Sequence, residues 1–261
     1  MYEKCKKTKI EFIENGLAKV KQLTIFIYLA GMLGLFPLYY KEQYYQIGDA
    51  KFEFFWKMSL GFLAITVVYV IGDMILKWIM QRSRKKINVL SKNNDLKKEG
   101  YLSKQVDIFR KLSNLDFTVL IYAICVVLSY CFSDFKEFAL KGAPGWEMGL
   151  CSQLIFVAIY FILSRQNLFQ ITCFSNPKFS KDNKVTVQRI FAILVLEIHL
   201  AASALTFVFG ILHRFDVDPL GMYEGLELYQ KIEFLSTIGQ ATWFSGYVCT
   251  VFAIVDKNSI F

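Results

Sequence analysis

Glu197 is the residue whose type and place most demand a chemical role. It lies in the run LVLEIHLAAS, with Ile193, Leu194, Leu200 and Ala201 three and four positions away. On a helix those positions are its neighbours, so its own helix offers no charged partner. A carboxylate in an apolar helix is costly unless it faces a bundle interior or a wet cavity, or takes up a proton. The chemistry implied is passage of a cation or proton, or a buried hydrogen bond to another helix. The last apolar run adds Ser236, Thr237 and Gln240, with Thr242, Ser245 and two glycines beside them. Such groups bond across closely packed helices or line a pore. Glu197, Gln240, Ser236 and Thr237 are therefore the expected pathway residues.

Other candidates carry less. His199 and His213 are the only histidines. Fourteen residues is close to four helical turns, which puts both on one face about 21 Å apart. Glu197 is offset from His199 by about 200° and points nearly the opposite way. Paired histidines at this spacing suggest haem, but each haem needs a second axial ligand and no third histidine exists. The cysteines at 5, 125, 131, 151, 173 and 249 form no CxxC pair and no zinc set. Most read as small apolar residues, and a bridge between Cys131 and Cys151 is conceivable. Asp73 has Lys77 four residues on, which reads as an interfacial ion pair. Asp216, Asp218, Glu224 and Glu227 form the densest acidic group. Their spacing matches no calcium loop, so they read as a solvated loop. No catalytic motif, cofactor or metal site is expected, and an enzyme is disfavoured.

The elements that must position these residues are membrane helices. Hydrophobic residues make up 55% of the chain and mean hydropathy is +0.38. More decisive is their grouping into runs near the roughly 20 residues that cross a bilayer as a helix. Six are read: Leu23–Tyr40, Phe54–Met80, Phe117–Phe132, Met148–Leu163, Ile190–Leu212 and Ile232–Val255. The third and fourth are short. The four prolines avoid the middle of every run, which predicts unbroken helices rather than the discontinuous ones of many transporters. Gly31 and Gly34 miss the GxxxG spacing and give only a weak packing signal. The aromatic stretches Tyr39–Tyr45 and Phe52–Trp56, with Trp146, read as interfacial belts.

Charge orients the bundle. Lys and Arg number six in 1–22, eleven in 77–116, five in 165–189 and one after Val255, against seven in the three opposite loops. Asp and Glu split nearly evenly. A cationic bias without an acidic one is the positive-inside signature, so both termini are expected in the cytoplasm. The organisation read is an amphipathic cytoplasmic helix (1–22), three transmembrane hairpins (23–80, 117–164 and 190–255), a basic cytoplasmic helical hairpin (81–116), a cytoplasmic loop (165–189) and a tail (256–261). Within 81–116, Arg82, Arg84, Lys85 and Lys86 face anionic inner-leaflet lipids. Leu102, Val106 and Phe109 form an apolar stripe for a soluble cytoplasmic partner. Nucleic-acid binding has no folded domain to present the charges and is not expected.

The fold class expected is an all-α polytopic membrane bundle in a plasma or inner membrane. The function expected is a channel or passive conduit for ions or small solutes, working as a homo-oligomer. A secondary transporter and a non-catalytic scaffold docking its partner through 81–116 are the alternatives. The orientation has a direct check. A single cysteine at position 95, in an otherwise cysteine-free chain, should react with an impermeant maleimide only after the membrane is permeabilised. Labelling in intact cells would overturn it.

Overall fold

The computed structural model describes Gly16 and residues 19–90, 113–165 and 183–259. These residues are mostly helical. In chain order the elements are α1 (Lys19–Leu38), α2 (Ile47–Leu90), α3 (Asn114–Phe132), α4 (Lys136–Lys141), α5 (Leu150–Ser164), α6 (Asn183–Arg214) and α7 (Leu228–Lys231). A two-stranded pair, β1 (Phe234–Leu235) and β2 (Gly239–Gln240), precedes α8 (Ala241–Ser259). Residues 91–112, with Leu102, Val106 and Phe109, lie outside the described residues, as does most of the amphipathic leader. Arg82, Arg84, Lys85 and Lys86 fall on the last turns of α2.

Among the described residues, four helices are long and apolar enough to cross a membrane: α1, the Ile47–Leu76 part of α2, α3, and the Ile190–Arg214 part of α6. Their apolar side chains are largely uncovered, with only 6% of the α3 window and 11% of the α2 window buried. In water such surfaces would aggregate, whereas lipid is their natural cover. Helix α5 is apolar but has 15 residues, about 22 Å of rise against a hydrocarbon core of about 30 Å. The helical membrane class therefore stands, with four of the six expected spans having the length and apolarity to cross.

The sixth expected run differs from its reading. Ile232–Gln240 is not α-helical. It forms β1, a 3-10 turn over Ser236–Ile238 and β2, with Phe234 paired to Gln240 and Leu235 to Gly239. Ser236 takes φ 60° and Gly239 φ 107°. The left-handed region is open to glycine but costs a serine roughly 1–2 kcal/mol, so surrounding contacts must hold Ser236 there. Helix α8 begins only at Ala241.

Helix α1 is not a plain α-helix either. Gly31–Leu35 is a π segment, in which the Phe36 N–H reaches back to the Gly31 carbonyl. The Leu33 carbonyl, whose partner four residues on would be Pro37 with no N–H, accepts instead from Nδ1 of His199 at 3.0 Å. Gly31 and Gly34 are both buried in this segment. A Cβ at Gly34 would sit 2.5 Å from Ile198 of α6, and one at Gly31 equally close to Met58 of α2. The two glycines thus admit different neighbours, and need no GxxxG register to do so.

Three connecting segments meet at one end of the bundle. Gln43 donates to Glu224 at 3.0 Å and the Tyr45 hydroxyl to the Gly225 carbonyl at 3.0 Å. A Cβ on Gly48 would lie 2.8 Å from the Gly145 carbonyl oxygen. Trp146 stands edge-on to Trp243. A core of Tyr44, Ile47, Met222 and Tyr223 fills the space between. A second core, Ile25, Tyr28 and Phe62, joins α1 to α2 and α5. Away from this end, Asp116 forms a capping box with Ser113 at the start of α3. The same carboxylate accepts from Tyr160 and Arg165 at the close of α5.

The glycine contacts are directly testable. Gly34→Val should lower the midpoint of thermal unfolding in detergent, with an overpacking cost of about 1–3 kcal/mol. Gly61, whose Cβ position is open, is the control. Gly61→Ala should be neutral or slightly stabilising, because alanine is the better helix former.

Candidate functional site

The densest assembly of buried polar groups lies at the end where α1 stops, α2 starts and the 234–240 hairpin enters. Helix α1 ends at Leu38, and Tyr39 is already extended. The last carbonyls of a helix have no partner within it, and a bilayer offers them no water. Lys51 supplies the missing donors. Its ammonium donates to the carbonyls of Phe36 (2.9 Å), Pro37 (3.2 Å) and Tyr39 (2.9 Å). The side chain is 7% exposed and its nitrogen lies 5.1 Å from the centre of the Phe36 ring. A cation at a helix C-terminus also opposes the negative end of the helix dipole. Lys136 repeats the device on α3, donating to the carbonyls of Tyr130 (2.8 Å) and Cys131 (2.7 Å).

The hairpin is held on several sides. Thr237 donates from Oγ1 to the Pro37 carbonyl at 2.9 Å, so that carbonyl serves two elements. Ser236 donates from Oγ to the Thr206 carbonyl at 2.5 Å and from its backbone N–H to Nδ1 of His213 at 3.1 Å. The Tyr44 hydroxyl donates to the Ser236 carbonyl at 2.6 Å, and the Tyr223 hydroxyl to the Phe234 carbonyl at 3.1 Å. These bonds account for the left-handed serine. They also set depth. Thr206 lies eight residues before Arg214, about 12 Å along α6, so the hairpin dips into the bundle. Irregular backbone at such depth persists only where protein surrounds it or a wet cavity adjoins it. Ser236 and Thr237, at 0% and 1% exposure, meet the first condition.

Asp218 completes the group. Its Oδ1 lies 3.3 Å from Nε2 of His213, a contact too poorly aligned for a full hydrogen bond. Burial works against ionisation of Asp218, but backbone N–H donors from Tyr223, Met222 and Leu220, with His213 alongside, hold its carboxyl below the usual range. Burial, reinforced by Asp218 and Asp216, pushes the Tyr223 phenol up to about 12. The Tyr44 phenol is raised too, by burial and then by Tyr223 and Asp218. Both phenols therefore act as hydroxyl donors at any physiological pH. Serine, histidine and aspartate thus adjoin one another, but not as a nucleophilic triad. The serine meets His213 through its backbone N–H, and its hydroxyl is committed to Thr206.

The expected pathway residues do not converge within one chain. Ser236, Thr237 and Gln240 share the hairpin. Glu197 is exposed on the opposite side of α6 from His199, Thr206 and His213, all of which are buried. Asp216, Asp218 and Glu224 line an open concavity of about 530 Å³ with Tyr223 and Lys231. Among the described residues no group of three or more acidic, histidine or cysteine side chains is placed to hold a metal ion. Sequence reading missed Lys51, which it counted only as a loop charge. The available signal was its place four residues after Ile47 and four before Phe55, both buried, which puts it on the buried stripe of a helix. Comparison with family models, with curated proteins and with solved structures finds no match.

Proposed function

We propose that the protein is a membrane-embedded conduit, a channel for ions or small solutes, that works as a homo-oligomer with Glu197 at the contact between copies. The observation that supports this reading is the exposed face of α6. Ile190, Ile193, Leu194, Glu197, Ala201, Ala204, Leu205, Val208 and Ile211 are exposed at successive helical spacings, and Glu197 sits in their midst. An isolated chain would present that carboxylate to hydrocarbon, at a cost of a few kcal/mol or more. A second copy, or water held between copies, removes the cost. The small side chains of Ala201 and Ala204 permit close approach there.

Secondary transport is the second reading. The hairpin that interrupts the last apolar run favours it, since transporters build sites from broken helices. On either reading the basic segment 81–116 faces the cytoplasm and its anionic lipids, and both termini lie on that side. A scaffold that only docks a soluble partner would carry no flux.

Flux in liposomes of purified protein, with stoichiometry measured, separates these readings. Glu197→Gln removes the charge and keeps the shape. It should change ion selectivity or the pH dependence of flux while oligomer size is unchanged. Glu197→Ala should weaken assembly, by about 1–2 kcal/mol. Wild-type flux, selectivity and pH dependence in the Gln variant would remove Glu197 from the pathway. No flux from wild-type protein would leave the scaffold.

A further inference from the structure

We propose that His213 is a proton-operated latch on the re-entrant hairpin: neutral, it holds residues 234–240 against α6, and protonated, it releases them. The contacts of the ring fix its tautomer. The Ser236 N–H donates to Nδ1, so Nδ1 must carry a lone pair. In the neutral ring the single proton is then on Nε2, facing Oδ1 of Asp218. Neither of these two atoms is reached by solvent, and among the described residues neither has a hydrogen-bond partner of good geometry. An ionised Asp218 thus stands beside a ring that meets it imperfectly.

A second proton on the ring must go to Nδ1. That nitrogen then becomes a donor and faces the Ser236 N–H, another donor. The bond between them is lost. Among the described residues only the Tyr44 oxygen, 3.0 Å from Nδ1, is placed to accept the new N–H, and it can do so while its own hydrogen stays on the Ser236 carbonyl. The imidazolium gains its full attraction to Asp218, and the hairpin is left with a buried, unpaired N–H at a residue already held at φ 60°. A group in that position is costly to leave unpaired, and the relief is movement of the hairpin away from α6. That movement also strains the Thr237 bond to the end of α1.

The groups facing His213 fit this assignment. Tyr44 reaches it from the segment before α2, and Asp218 and Tyr223 from the segment after α6, with the Tyr223 ring 4.7 Å from the imidazole. Ser236 approaches from the hairpin and does not titrate. Both tyrosines stay protonated, and Asp218 stays ionised. Lys231, 5.7 Å from the centre of the Tyr223 ring, and Asp216 are the next charges out, with Arg214 adjacent on α6. Of the groups facing His213 and the hairpin, histidine is the side-chain type whose ordinary titration range lies closest to neutrality.

The test is hydrogen exchange of the full chain in lipid nanodiscs, followed on peptides covering 234–240 and corrected for intrinsic exchange rates. Between about pH 7.5 and 5, wild-type protection should fall roughly tenfold, as expected for loss of one buried hydrogen bond. His213→Asn places an amide oxygen near the Nδ1 position and does not titrate, so its protection should be flat over that range. Asp218→Asn removes the charge that favours the imidazolium, so the fall should move to lower pH. Flat protection in wild type would overturn the proposal, as would an equal fall in His213→Asn. If His213→Asn does not fold, an unshifted transition in Asp218→Asn decides against it. The readout is the hairpin and not flux, so it stands or falls independently of Glu197.

Discussion

Backbone carbonyls at a helix end have nowhere to go in a bilayer, and the most elaborate part of this structure answers that constraint. Helices α1, α3 and α6 all finish near the same end of the bundle, each leaving carbonyls that its own turns cannot satisfy. Lys51 covers three of those of α1, and Lys136 covers two of those of α3. Near the end of α6, His213 receives the hairpin, which reaches on to the Thr206 carbonyl about two turns deeper. Two of the few cations on the cation-poor side of the chain are therefore committed to the backbone. Their presence there needs no ligand. It follows from where the helices stop.

The same constraint explains what sequence reading reaches. The first, third and fourth apolar runs agree with their helices to within a few residues, whereas α2 starts well before its run and ends well beyond it, at Leu90, and α6 starts early, at Asn183. Mean apolarity over twenty residues is a long-range property that single side chains hardly disturb. The run Ile232–Val255 fails that test for a physical reason. The stretch FLSTIGQ mixes apolar Phe234, Leu235 and Ile238 with polar Ser236, Thr237 and Gln240, and periodicity over so short a stretch cannot separate a buried strand from a buried helix. Its fold is decided by partners 30 to 200 residues away, Thr206 and Pro37. Lys51 was hidden in a similar way. Counted by charge it is a loop residue, and only its phase relative to Ile47 and Phe55 places it inside. Gly31 and Gly34 show that a rule for one pair of helices misses glycines serving two different neighbours.

The candidate site was half legible. Glu197 and His199 do lie on opposite faces of α6, as their offset requires, and His199 and His213 do share one. The grouping of Glu197 with Ser236, Thr237 and Gln240 is not seen within a chain. The carboxylate looks outward, and the hairpin is held inward. These are two separate features, one on the exposed face of α6 and the other at the end of the bundle where α1 stops. The proposed conduit links them only if copies of the chain meet along α6. The latch at His213 acts on the hairpin whether or not they do.

The central structural claim is that the end of α1 is held by donors from two distant elements that share the Pro37 carbonyl. A double-mutant cycle on Lys51→Met and Thr237→Val, read by reversible unfolding in detergent, tests it most directly. Either donor alone still satisfies that carbonyl, and losing both leaves it bare. The account predicts that the double variant loses more stability than the two single variants together, with a coupling of about 1 kcal/mol, inside the range seen for groups in one network. Additivity within about 0.3 kcal/mol, the behaviour of independent sites, would contradict it.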